Sequence, residues 1–180
     1  MSDGIQEKKV ISMATATEEE LRRAILNSEA FRQCLSQKHH LETTAGKHSL
    51  AVERSALRIS RFLRRFGIET DQKRLVVAAL CHDLGMANRK MRYKSTFQCH
   101  RLHPGASVEE ARKIICDLDA ATERAIRFHM WPLALHLPAS KEGWILSIAD
   151  KQASLSGTFS YLLKKPAAAF HRRFSRKNRF

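Results

Sequence analysis

The chain has 180 residues, 43% of them hydrophobic, with 32 Lys and Arg against 18 Asp and Glu and a formal net charge of +14. That is enough apolar material for one domain of ordinary size with a real core. No run approaches the roughly 18 uncharged apolar residues of a membrane span, and MSDGIQEKKV lacks the apolar stretch of a secretory signal, so a cytoplasmic protein without a membrane span is expected.

The first dozen or so residues read as disordered, and residues 1–16 are set aside as an N-terminal tail. Thr17-Glu18-Glu19-Glu20 has the spacing of a capping box and predicts a helix from there to about Leu35, only moderately periodic and expected to lie across the main bundle. After the polar stretch QKHHLETTAGKH, a helix is expected from about His48 to Phe66, with Gly67 as a left-handed stop. Asp71 caps a third helix through Leu75, Val76, Ala79 and Leu80, which delivers His82 and Asp83 at its end before Gly85.

The segment Ala87–Leu102 is rich in Arg, Lys and polar residues and reads as a loop over a cleft. Pro104-Gly105 then precedes a second capping box, Ser107-Val108-Glu109-Glu110, which leaves His103 just outside its helix. Asp119 caps the next helix, through Ala121, Ala125, Ile126 and Phe128, and His129 follows immediately before Met130-Trp131-Pro132 breaks it. A last helix starts near Ser140, runs through Trp144, Ile145, Ile148 and Ala149, and places Asp150 on an apolar surface, where a buried carboxylate needs a partner. With no alternating strand pattern, no internal repeat and no Gly-rich phosphate loop, the fold class is all-α, a single-domain helical bundle over residues 17–163. Trp131 and Trp144 are assigned to the core, with base stacking as the alternative.

Four cysteines, Cys34, Cys81, Cys99 and Cys116, lie far apart with no C-x-x-C pair, which argues against a zinc knuckle or a disulfide framework and for reduced, mostly buried thiols. No Asp or Glu follows Asp150, whereas Lys151, Lys164, Lys165, Arg172, Arg173, Arg176, Lys177 and Arg179 do. Residues 164–180 therefore form a basic tail, either a solvated segment or a surface for nucleic acid or another polyanion.

The chemistry concentrates in His48, His82, Asp83, His103, His129 and Asp150. Imidazole nitrogen with carboxylate oxygen suits a divalent transition metal, and a carboxylate among four histidines has enough neighbours to bridge two ions. Each histidine alone reads more readily as a hydrogen-bonded structural residue. Their joint order and type reverse that reading and point to metal-assisted hydrolysis.

His48, His82-Asp83 and Asp150 resemble the H…HD…D signature of the HD superfamily of metal-dependent phosphohydrolases, with similarity over roughly residues 38–156. The histidines in RLHPGASVEEA and AIRFHMWPL are similar to the H…HD…H…H…D subset found in small bacterial HD-domain proteins. The resemblance implies that His48, His82, Asp83 and Asp150 hold one ion and Asp83, His103 and His129 a second, the metal being Mn, Fe, Co, Ni or Zn. Many HD proteins continue HD-x-G-K, but this chain reads His82-Asp83-Leu84-Gly85-Met86. Phosphate contacts would then fall to Arg89, Lys90, Arg92 or Lys94, and His40 would stand at the cleft mouth.

The expected function is hydrolysis of a phosphate ester, of a nucleotide or another small phosphorylated metabolite, with Asp83, His82 and Lys151 as catalytic candidates. The alternative is an HD-fold binding module that engages nucleic acid or an anionic surface through its basic tail. A third option, oxygen activation at a di-iron centre, would require stoichiometric iron.

Overall fold

A computed structural model describes residues 10–36, 43–133 and 136–156. Among these no strand occurs, and an isolated parallel bridge joins Ile11 and Ile115. Helices α1 (Glu18–Asn27), α2 (Glu29–Ser36), α3 (Ala45–Arg64) and α4 (Gln72–Cys81) are followed by a 3-10 turn, Leu84–Met86, and a short α5 (Arg89–Arg92). Then come α6 (Thr96–Arg112) and α7 (Ala120–Phe128), and α8 covers 141–156.

The centre of the bundle is α4. Its run from Leu75 to Cys81 is buried without interruption, as expected of a helix that is apolar all round. Packed on it are α1, α3 and α7, while α6 covers the 3-10 turn and α7. Asp71 caps α4 by accepting the Arg74 amide, and the Asp71 amide in turn donates to Glu142 of α8 at 3.0 Å. The start of the central helix is thus tied to the last one.

The expected first helix is two helices. Ser28 has extended backbone (φ −68, ψ 150), donates its hydroxyl to the Ile25 carbonyl and accepts the Phe31 amide at 3.2 Å, ending one helix and starting the next. Far from lying outside the bundle, α1 buries Leu21 and Ile25 completely. Burial of a side chain of this size is worth about 1.5–3 kcal/mol.

Residues 11–16, assigned from the sequence to a tail, lie against the domain, with Met13 and Ala16 buried. Asp117 holds them there, accepting the Ser12 hydroxyl at 2.7 Å, the Ala14 amide at 3.1 Å and the Met13 amide. These contacts lower the Asp117 pKa to about 2.

The segment from Ala87 to Leu102 is also largely helical, contrary to its reading as a loop. Ser95 caps α6 by accepting the Gln98 amide at 3.1 Å, so His103 and Pro104 lie inside that helix. A helical proline forgoes a backbone hydrogen bond at a cost of about 3 kcal/mol. Burial of Pro104, Ser107, Val108 and Ala111 on the same helix offsets it. In α8 the buried face is Ile145, Leu146 and Ala149, whereas Trp144 and Ile148 are 37% and 53% exposed. Trp144 is therefore not a core residue; it packs edge-on against Trp131, ring centroids 4.9 Å apart. Cys34, Cys81 and Cys99 are buried thiols and Cys116 is exposed.

Candidate metal centre

The capping of each helix decides where its histidine falls. Thr44 accepts the Lys47 amide and starts α3, which sets His48 at the end of the first turn. His82 and His129 are the C-cap residues of α4 and α7, and His103 lies within α6. All four are buried, as is Asp83.

Three of the rings are oriented alike. Nδ1 donates to a carbonyl of the ring's own helix: His82 to Ala79 at 2.8 Å, His103 to Cys99 at 2.9 Å and His129 to Ile126 at 2.6 Å. A carbonyl only accepts, so Nδ1 carries the hydrogen and a neutral ring presents a bare Nε2, the tautomer a metal requires.

Those Nε2 atoms converge on Asp83. Its Oδ2 lies 3.5 Å from His82 Nε2, and its Oδ1 lies 3.3 Å from His103 Nε2 and 3.9 Å from His129 Nε2. On the first side, Asp150 Oδ1 is 2.8 Å from His48 Nε2 and 3.9 Å from His82 Nε2. Two groups result, His48–His82–Asp83 and Asp83–His103–His129, with donor atoms in each within 4.8 Å of one another. The single carboxylate common to both turns one oxygen to each.

Burial depresses the His82 pKa despite the charges of Asp83 and Asp150, and leaves Nε2 as a buried polar atom with no hydrogen-bond partner. Such an atom costs about 1–3 kcal/mol unless something satisfies it. Burial, reinforced by His82 and His103, lowers His129 to about 3. At Asp150 burial works against ionisation, but the His48 hydrogen bond and the neighbouring imidazoles win and hold the carboxyl well below its usual range. At His48 burial opposes protonation, yet the bond to Asp150 and the charge of Asp83 raise the pKa. An orphaned buried nitrogen among further imidazoles and carboxylates fits a divalent transition cation.

The sequence-derived candidates His48, His82, Asp83, His103, His129 and Asp150 therefore meet in one place. Lys151 joins them through position: its Nζ donates to the His129 carbonyl at 2.6 Å, to Ser147 Oγ at 3.3 Å and to Asp150 Oδ2 at 3.2 Å. The loop cations do not contact the cluster. Arg89 reaches Thr96 Oγ1 at 3.2 Å, Lys90 and Lys94 are exposed, and Arg92 pairs with Glu110 at 2.6 Å. His40 and the basic tail 164–180 lie outside the described residues.

Three supporting residues escaped the sequence reading. Ser107 is not a helix cap; its hydroxyl accepts the Gly85 amide at 2.9 Å, while Tyr93 donates its hydroxyl to the Gly85 carbonyl at 2.9 Å. Cys34 Sγ donates to the carbonyl of Asp83 at 3.6 Å. Only Gly85 gave a signal, through its place two residues after the aspartate. Met86, where a lysine would be expected, is buried with its Sδ 3.3 Å from Cys99 Sγ.

An all-helical bundle whose helix ends gather histidines around a buried aspartate defines a class of metal-binding helical domains. A family model described as HD domain matches residues 45–154, and the chain belongs to that family, one of metal-dependent phosphohydrolases. No curated protein and no solved structure matches the chain.

Proposed function

We propose that this protein hydrolyses a phosphate ester of a nucleotide or small metabolite, with His48, His82, Asp83 and Asp150 holding one divalent ion and Asp83, His103 and His129 a second. The observation that carries this reading is the divided carboxylate of Asp83, with Oδ2 toward His82 at 3.5 Å and Oδ1 toward His103 at 3.3 Å. Two divalent ions held by these residues would supply an activated water and neutralise charge on a phosphate oxygen.

The protein's own groups have separate tasks. An imidazole that ligates an ion does so uncharged, and the carboxylates of Asp83 and Asp150 bring only two negatives, so a site holding two divalent ions would stay cationic toward phosphate. Lys151 holds Asp150 and the end of α7 in register and is assigned to positioning. With Met86 buried, cations that draw the phosphate in must come from elsewhere, and Arg89 and Lys90 on α5 are assigned to that approach.

The test is release of inorganic phosphate from a panel of nucleotides and phosphorylated metabolites, with Mn, Fe, Co, Ni or Zn supplied in turn. Metal-dependent release that disappears in Asp83→Ala supports the reading. Full ion binding with no release from any substrate would overturn hydrolysis and leave a binding module.

A further inference from the structure

Turned away from the metal ligand it carries, α3 shows a face of one charge sign. Lys47, Arg54, Arg58, Arg61 and Arg65 are all exposed. At about 100° per residue they fall within roughly 60° of arc, and at about 1.5 Å per residue they form a line roughly 27 Å long. The only carboxylate within α3, Glu53, is on the other side, buried and paired with Arg22 at 2.7 Å. Arg54, Arg58, Arg61 and Arg65 form no ion pair among the described residues. Like charges three and four residues apart on a helix repel by a few tenths of a kcal/mol per pair, and a solvated helix face ordinarily mixes signs.

At the end of the stripe stand two exposed aromatic rings. Phe62 and Phe66 are 56% and 68% exposed, with centroids 5.1 Å apart and planes inclined at 62°. They do not lie among the cations; by the helical rotation they are displaced about 70–110° to one flank. A helix lying on an anionic bilayer sinks a whole apolar face into the lipid, whereas the apolar face of α3, with Val52 and Ala56, is packed on α4. A single nucleic-acid strand has phosphates in a line and bases to one side, and arginine, which supplies four of the five cations, grips phosphate through a fork of donors.

We infer that the outer face of α3 binds single-stranded nucleic acid, with the arginine line on consecutive phosphates and Phe62 and Phe66 against an unpaired base. This surface is separate from the buried cluster, and it stands whether or not the phosphohydrolase reading does.

The experiment is fluorescence anisotropy of the full chain with labelled 12-nucleotide oligo-U and oligo-dT across a salt series, the oligonucleotide checked on a gel for integrity. A single-stranded site using four arginines gives a log–log salt slope near −2.8, about −0.7 for each phosphate neutralised. The combined Arg54→Gln, Arg58→Gln, Arg61→Gln and Arg65→Gln variant is expected to flatten that slope to no steeper than about −0.7, the share that Lys47 alone can supply. Phe62→Ala with Phe66→Ala, which leaves every charge in place, is expected to weaken binding about tenfold without changing the slope. Thermal melts of both variants close to the wild-type temperature show that the fold is kept. Unchanged affinity in both variants would transfer binding to another segment, and tighter association with phosphatidylglycerol vesicles than with either oligonucleotide would make this a lipid surface; either result overturns the proposal.

Discussion

His103 Nε2 lies 3.2 Å from His129 Nε2, while each ring is anchored through Nδ1 to a backbone carbonyl of its own helix. Rings held this way turn both Nε2 atoms into the same space, with Asp83 Oδ1 3.3 Å from one and 3.9 Å from the other. That arrangement repels itself unless a cation lies between the nitrogens. The orientation is set by helix backbone, so the site is built before any ion arrives.

His129 makes metal retention and stability sensitive to acid. Its folded pKa of about 3 lies below the ordinary 6.5 because burial disfavours the imidazolium. The unfolded chain therefore binds a proton that the folded one refuses as pH falls below about 6.5, and stability is lost from there downward. Chelator-treated protein should melt progressively lower between pH 7 and pH 5, and His129→Gln should flatten that dependence. A melting temperature independent of pH in the wild type would contradict the burial of a neutral ring.

Gly85 is a point of close approach. A methyl group there would stand 2.4 Å from the His103 carbonyl oxygen and 2.8 Å from the Ser107 amide, both backbone atoms that cannot swing aside. Gly85→Ala should cost about 1–3 kcal/mol as overpacking and push the 3-10 turn away from α6, separating Asp83 from His103. Urea denaturation and metal titration check this, and loss of the second ion before the first is the expected order.

Asp117 pins residues 12–14, and its pKa of about 2 records the hydrogen bonds to Ser12, Met13 and Ala14. A depressed carboxyl contributes stability that is present above about pH 4 and lost as pH falls through about 2. Asp117→Asn should speed hydrogen exchange at the amides of Met13 and Ala14 at neutral pH while leaving the amides of α4 protected. Equal acceleration in α4 would mean that the segment and the core open together.

Most of the fold was legible where one residue does one local job. Asp71 and Asp119 read as caps and are caps, because an aspartate before an apolar helical run has no cheaper use. Ser107 misled because its spacing to Glu110 imitates a capping box, whereas tertiary packing claims its hydroxyl for Gly85. Pro104 misled for the opposite reason: a local rule says the chain breaks there, and the burial of α6 overrides it. The convergence of the four histidines with Asp83 and Asp150 was legible because chemistry, not packing, selects histidine and aspartate in that order. The Asp83 backbone's contact with Cys34 and the Lys151 bonds to α7 are contacts across the fold that no spacing along the chain encodes.

Lys151 should act through geometry. Lys151→Met removes the bonds to the His129 carbonyl and Asp150, and a substitution that breaks such a network lowers metal affinity by about 10–100-fold. Lys151→Arg should recover most of that affinity. Metal-competition titrations decide it: full affinity in Lys151→Met, with only turnover lost, would make Lys151 a substrate-binding cation.

The most direct test is the metal content of the purified chain, by elemental analysis after metal-replete expression, for wild type and Asp83→Ala side by side. Two divalent ions per wild-type chain and none in Asp83→Ala, with helical circular dichroism retained in both, are the expected results. Equal metal in the two proteins, or none in the wild type, would contradict the placement of Asp83 between two ions.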